Sequence, residues 1–235
     1  MHLAIESLPA AGAPEQLVLL LHGVGSGGAS LAPLAQALRN EFPQAALLAP
    51  DAPLPFDGGA AGRQWFSVQG VDEANRPERV AEALPPLWQW VRAEQRRLGV
   101  SAQATAIAGF SQGAILALET AAQCDGLAGR VLAFSGRFAR LPAKAPRLTT
   151  LHLFHGSADA VIDAVHAQRA FDTLAGLGGD ATLDLADGLG HTLHPALLDR
   201  AIYRLRHHIP ARTWAEAMGA APAGALRDDD DETLH

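Results

Sequence analysis

The pentapeptide GFSQG, residues 109–113, sets a serine between two glycines at the spacing G-x-S-x-G. The apolar run ATAIA precedes it and AILALETAA follows, which predicts strand, tight turn and helix in succession. Such a turn strains the backbone at Ser111 and lifts its hydroxyl above the strand end, into the positive field of a helix N-terminus. Glycine on either side removes side chains that would clash. The pattern is short, and taken alone it equally describes a glycine-rich turn with a helix-capping serine. A hydroxyl becomes a nucleophile only with a base beside it and an acid that orients the base.

Both partners are available downstream, in the chain order Ser, acid, His. The apolar run LTTLHLFHG leads into SADAVID and sets Asp159 just past a strand; ATLDLA leads into DGLGHTLHP and does the same for His191. Three functional side chains beyond three strand ends on one edge of a parallel sheet is the arrangement in which such sheets bind ligands. Competitors have other readings. His194 precedes Pro195 and reads as the start of a helix; His22 reads as a brace for a glycine loop. Asp163 reads as a helix cap, and Asp187 is close in sequence to the base and on a different loop. His152 and His155 spell H-x-x-H, but on a strand that spacing sends the rings to opposite faces, so no zinc site is expected.

The stretch LHGVGSGG has two possible uses. Gly23, Gly25 and Gly28 fit G-x-G-x-x-G, and Asp51 stands where a ribose-binding carboxylate would belong in an NAD(P)-binding protein. That reading leaves Ser111, Asp159 and His191 unused. Acyl transfer, by contrast, builds negative charge on a carbonyl oxygen, and two backbone N–H groups aimed at it stabilise it by several kcal/mol. One would follow the nucleophile, at Gln112; the other would come from the glycine loop, at Val24. Asp51 then merely ends a strand. In GRQWFSVQG, Trp65 and Phe66 would either wall an acyl pocket or anchor their loop to the core.

These residues need a scaffold, and the apolar pattern supplies one. Strand-like runs at 17–21, 45–49, 104–108, 131–135, 148–154 and 181–185 alternate with helical patterns at 76–98, 112–123, 165–174 and 195–208. Ser30 is expected to cap a further helix carrying Pro33 in its first turn. Pro85 and Pro86 are expected to kink or restart the long helix that Gly99 ends. The alternation predicts an α/β protein, a mostly parallel sheet with helices on both faces. Residues 1–210 are expected to form one domain, and 211–235 an extension whose acidic tail DDDDETLH is partly disordered.

With 235 residues, 49% hydrophobic and 18% charged, the chain can bury a large core. A net charge of -7, with its few basic residues scattered, argues against nucleic acid or an anionic membrane as a partner. Cys124 alone cannot form an internal disulfide, and no window is apolar enough to span a bilayer, so a cytoplasmic, soluble protein is expected.

The ordered set LHGVGSGG, GRQWFSVQG, GFSQGA, HLFHGSADAVID and GLGHT resembles the phospholipase/carboxylesterase family of serine hydrolases, α/β-hydrolases related to acyl-protein thioesterases. The resemblance covers nearly the whole chain. It implies Ser111 as nucleophile, Asp159 as acid, His191 as base, Val24 and Gln112 as oxyanion donors, and a small acyl ester as substrate with no metal or cofactor. Ser26 and Ala160 stand where acyl-protein thioesterases usually carry Asp and Pro. A binding protein that keeps this fold without turnover is the alternative, and the intact Ser, Asp, His set speaks against it.

Overall fold

A computed structural model describes residues 1–59 and 61–219. Its strands are β1 (Leu3–Ser7), β2 (Gln16–Leu21), β3 (Ala45–Pro50), β4 (Leu54–Pro55), β5 (Arg63–Gln64), β6 (Thr105–Phe110), β7 (Arg130–Phe134), β8 (Thr150–Gly156) and β9 (Ala181–Ala186). The helices are α1 (Ala32–Glu41), α2 (Arg76–Leu98), α3 (Gln112–Gln123), α4 (Val165–Gly176), α5 (Pro195–His207) and α6 (Ala211–Ala217). Seven strands form one sheet in the order β1-β3-β2-β6-β7-β8-β9, parallel throughout except for the edge strand β1. β4 and β5 make a small separate hairpin.

The unbroken apolar runs of the sequence are the strands covered on both faces: every residue of β3 and β8 is buried. On one face α2, α3 and α4 pack Leu84, Leu87, Leu116 and Leu174 against the sheet. On the other, α1 and α5 contribute Leu34, Leu38 and Leu197 over the stacked rings of Phe134 and Phe154. Fully burying one such side chain contributes about 1.5–3 kcal/mol. The chain first winds from β2 to β3, then returns past β2 to β6, so the loops after β2 and β6 diverge to opposite faces. The crevice between them lies at the carboxyl edge of the sheet.

Several elements depart from the sequence expectation. β1 is a half-buried antiparallel edge strand, and the sequence reading gave that segment no structure. Ser30 does not cap α1. It sits in a 3-10 turn, Gly28–Leu31, and its hydroxyl donates to Gly27 O, while Leu31 precedes α1 with no side-chain cap. The Gly28 N–H that opens the 3-10 turn is taken by Asp51 Oδ1, 2.9 Å away. α2 runs without a break through Pro85 and Pro86. Both prolines are exposed, as are Ala81 and Glu82, whose carbonyls lose their N–H partners and turn to water. After residue 210 α6 follows, with Ala211 N–H on Asp180 and Arg212 on Thr150. The acidic tail lies outside the described residues.

Two outcomes test this packing. A Cβ on Gly113 would lie 2.1 Å from Leu21 O, a backbone atom that cannot yield, so Gly113→Val lowers stability by about 3 kcal/mol or more in urea unfolding. His152, buried in β8, accepts from Arg130 at Nε2 and meets Thr182 Oγ1 at Nδ1, so it is neutral. Burial, with Arg130 adding to it, pushes its pKa down to about 3 from 6.5. The unfolded chain therefore binds this proton first. The contribution is intact above pH 6.5 and falls by up to about 1.4 kcal/mol per pH unit as pH drops toward 3. His152→Gln flattens that acid slope when unfolding is followed at a series of pH values.

Candidate active site

Ser111 lies between β6 and α3 with φ 54° and ψ −115°, and among the described residues only Ser135 shares a positive φ without being glycine. Its N–H donates to Phe134 O at 2.9 Å, and its carbonyl accepts from Ala114 and Ile115 N–H. Those bonds fix the turn from both sides, against a strain of about 1–3 kcal/mol. The flanking glycines are steric necessities. A Cβ on Gly109 would lie 2.3 Å from the Gly113 carbonyl, and Gly113 faces β2 as described above.

The loop after β9 folds back over the end of β8, where Ala158 N–H donates to Leu189 O and Gly156 leaves room for that carbonyl. This brings His191 between the other two candidates. His191 Nε2 is 2.9 Å from Ser111 Oγ, and Nδ1 is 2.7 Å from Asp159 Oδ2. A carboxylate facing Nδ1 fixes the tautomer, with the proton on Nδ1 and the Nε2 lone pair toward the serine hydroxyl. The Phe110 ring packs against the imidazole, 4.9 Å between centroids.

The Asp159 side chain has no solvent exposure. Burial alone would raise its pKa, but the His191 hydrogen bond and the N–H groups of Ile162 and Val161 on Oδ1 outweigh that and hold it below the ordinary carboxylate value. His155 Nε2 lies 2.7 Å from Ile162 O and 3.2 Å from Asp159 Oδ2. Between two acceptors that nitrogen must carry its proton, so His155 donates to the loop that holds Asp159. The sequence reading weighed this histidine only as a metal ligand. Its position four residues before the acid was the available signal.

The glycine loop after β2 is braced as its sequence suggests. His22 Nδ1 donates to Gly23 O, its Nε2 accepts from Ala52 N–H, and Trp65 Nε1 donates to His22 O. Burial lowers the His22 pKa, in keeping with a neutral ring. Gly23 runs close under Phe110 and Ser111, where a Cβ would come within 3.2 Å. The backbone N–H groups of Val24 and Gln112 have no backbone acceptor among the described residues. Asp51 is engaged by Gly28 N–H and His2, within the protein.

Trp65 and Phe66 sit differently. Trp65 is buried in the core and anchored to His22. Phe66, also buried, borders a cavity of about 460 Å³ beside Ser111. The Gln112 side chain clamps both, accepting from Trp65 N–H and donating to Phe66 O. The rejected competitors lie elsewhere: His194 N-caps α5, Asp163 accepts from Val165 N–H, and Asp187 accepts from Ser157. His152 and His155 make separate contacts with no shared partner. Arg76 and Arg137 also border the cavity. Sequence reasoning missed them because they come from segments 61 residues apart with no motif of their own.

The model of the family described as Phospholipase/Carboxylesterase matches residues 3–209. The chain is 44% identical to Esterase YpfH of Escherichia coli (strain K12) over 216 residues, covering 92% of this chain and 91% of that protein. It is 26% identical to Acyl-protein thioesterase 1 of Gibberella zeae, over 87% of this chain and 95% of that one. The crystal structure of esterase PE8 superposes with a TM-score of 0.80 at 31% identity, covering 89% of this chain and all of that one. No helix among the described residues is long and apolar enough to cross a membrane. The chain belongs to the phospholipase/carboxylesterase family of α/β-hydrolases and is, by that membership, an ester hydrolase of the serine-hydrolase class.

Proposed function

We propose that the protein hydrolyses carboxylic esters of small acyl substrates, with thioesters as a second substrate class, through an acyl-enzyme on Ser111. The observation that carries this reading is the unbroken run Ser111 Oγ, His191, Asp159 at 2.9 and 2.7 Å. His191 Nε2 takes the hydroxyl proton as Oγ attacks the carbonyl carbon. The carbonyl oxygen, now negative, accepts from Val24 and Gln112 N–H, the second of which also begins α3 and adds the field of that helix end. As the tetrahedral centre collapses, the ester C–O bond breaks and His191 returns the proton to the leaving oxygen. Water then repeats the sequence on the acyl-enzyme, losing its proton to His191 and freeing the acid.

Asp159 stays ionised through both steps, since its acidity is already set by donors it keeps. It holds the Nδ1–H tautomer and stabilises the imidazolium. The partner is a small ester, and the residues named need neither metal nor cofactor for these steps. The thioesterase option draws on the likeness to Acyl-protein thioesterase 1 of Gibberella zeae.

A fluorophosphonate is expected to label Ser111 stoichiometrically, as read by intact mass, and 4-nitrophenyl esters to be hydrolysed. Ser111→Ala lowers kcat by on the order of a thousandfold or more and abolishes labelling. Undiminished hydrolysis in that variant overturns the reading. Asp159→Asn keeps the geometry but loses the tautomer control, and kcat is expected to fall by roughly a thousandfold or more at neutral pH.

A further inference from the structure

Ser111 has a cavity on each side, and the two are chemically unlike. One, of about 400 Å³, is bordered by Gly23, Ser26, Phe110, His191 and Leu193. The other, of about 460 Å³, is bordered by Phe66, Val68, Val71 and Ile115, with Arg76 and Arg137 in the same wall. His191 borders only the first. A leaving group must receive its proton from His191, so it departs on that side. The acyl chain therefore takes the second cavity, which offers it apolar side chains together with two guanidinium groups.

Those guanidinium groups are largely sheltered, with side-chain exposures of 16% for Arg76 and 15% for Arg137, whereas Glu73 between them is 69% exposed. Arg137 is committed: both its Nη atoms donate to Glu73, Nε donates to Phe138 O, and Nη1 also approaches His166 Nε2. Facing that donor, His166 is held neutral, and burial and Arg137 push its pKa below the ordinary value. Arg76 uses a single nitrogen, Nη1, on Glu73, and its other donors have no partner among the described residues. Asp163 in the same wall turns its carboxylate to Val165 N–H. Arg140 and Arg169 border the adjoining pocket with Arg137 and Glu73, so the two pockets together hold four guanidinium groups against three carboxylates, Glu73, Asp163 and Asp159, the last paired with His191. This local excess of positive charge lies in a chain whose net charge is -7.

We propose that the acyl group this site accepts carries a carboxylate at its far end, so that the substrate is a half-ester of a dicarboxylic acid, its methylenes along Phe66, Val68 and Ile115 and its carboxylate on Arg76. The inference rests on the proposed roles of Ser111 and His191. A guanidinium with paired N–H donors still open binds a carboxylate through two parallel hydrogen bonds, which a methyl ester of the same chain cannot match in charge. Glu73 competes for the same donors.

The test compares 4-nitrophenyl half-esters of adipic, suberic and sebacic acid with their methyl-capped counterparts. At low ionic strength the free-acid form of the best-fitting length is expected to have a kcat/KM roughly tenfold higher than its capped form, and salt reduces that ratio. Arg76→Gln brings the ratio toward unity, while Glu73→Gln raises it severalfold by removing the competing carboxylate. Opposite movement by two neighbouring substitutions is not an outcome of simple structural damage, and fluorophosphonate labelling of Ser111 reports that each variant is folded. Equal turnover of free and capped esters, with Ser111→Ala inactive, overturns this inference and leaves the hydrolase reading standing. Absence of Ser111-dependent turnover of either form overturns both.

Discussion

A left-handed backbone at a residue with a side chain is costly, and Ser111 adopts one at φ 54°. What holds it is not local. Gly113 must press against Leu21 O, so β2 has to lie beside β6; Phe134 O must accept the Ser111 N–H, so β7 has to lie on the other side. The turn is thus clamped by both neighbouring strands, and the order β2-β6-β7 at the centre of the sheet is what makes it affordable. Everything above the carboxyl edge is arranged around this fixed hydroxyl. The glycine loop passes beneath it, α3 starts from it, and the loops after β8 and β9 reach toward it.

Buried imidazoles do much of the remaining positioning. His22, His152 and His155 are all inside; His22 and His152 are each kept in one tautomer by partners of opposite hydrogen-bonding sense, and His155 donates from Nε2. A neutral imidazole is well suited to this work, since it offers one donor and one acceptor in a rigid plane without bringing a charge into low dielectric. His191 differs in that one nitrogen meets a carboxylate and the other a hydroxyl, with part of the side chain open to solvent. The same ring serves as a strut in three places, and only in the fourth does its surroundings leave a lone pair facing an exchangeable proton.

The sheet and the candidate site were largely legible because both are written in short-range patterns. Apolar runs bounded by glycine or proline became strands, and Ser111, Asp159 and His191 each fell within five residues of a strand end. The family resemblance rested on those same segments. What escaped notice depends on contacts distant in sequence. β1 is stabilised by pairing with β3, which its own five residues do not announce. Ser30 lost its expected capping role because Gly28–Leu31 winds into a 3-10 turn, where its hydroxyl donates to Gly27 O and Leu31 takes the position before α1. The two prolines in α2 signal a break, yet exposure lets water replace what they remove. Arg76 and Arg137 meet through Glu73, and no spacing rule connects a helix start with the loop after β7.

The clamp made by Gln112 grips only main-chain atoms, the N–H of Trp65 and the C=O of Phe66. Any amino acid other than proline at 65 presents the same pair. The joint between the start of α3 and the cavity border is therefore indifferent to what projects from position 66. Replacing the bulky ring there by a smaller aliphatic group removes packing but neither of those two hydrogen bonds. The fold separates the tailoring of fit from the upkeep of reactivity, with a glutamine as the hinge pin between them.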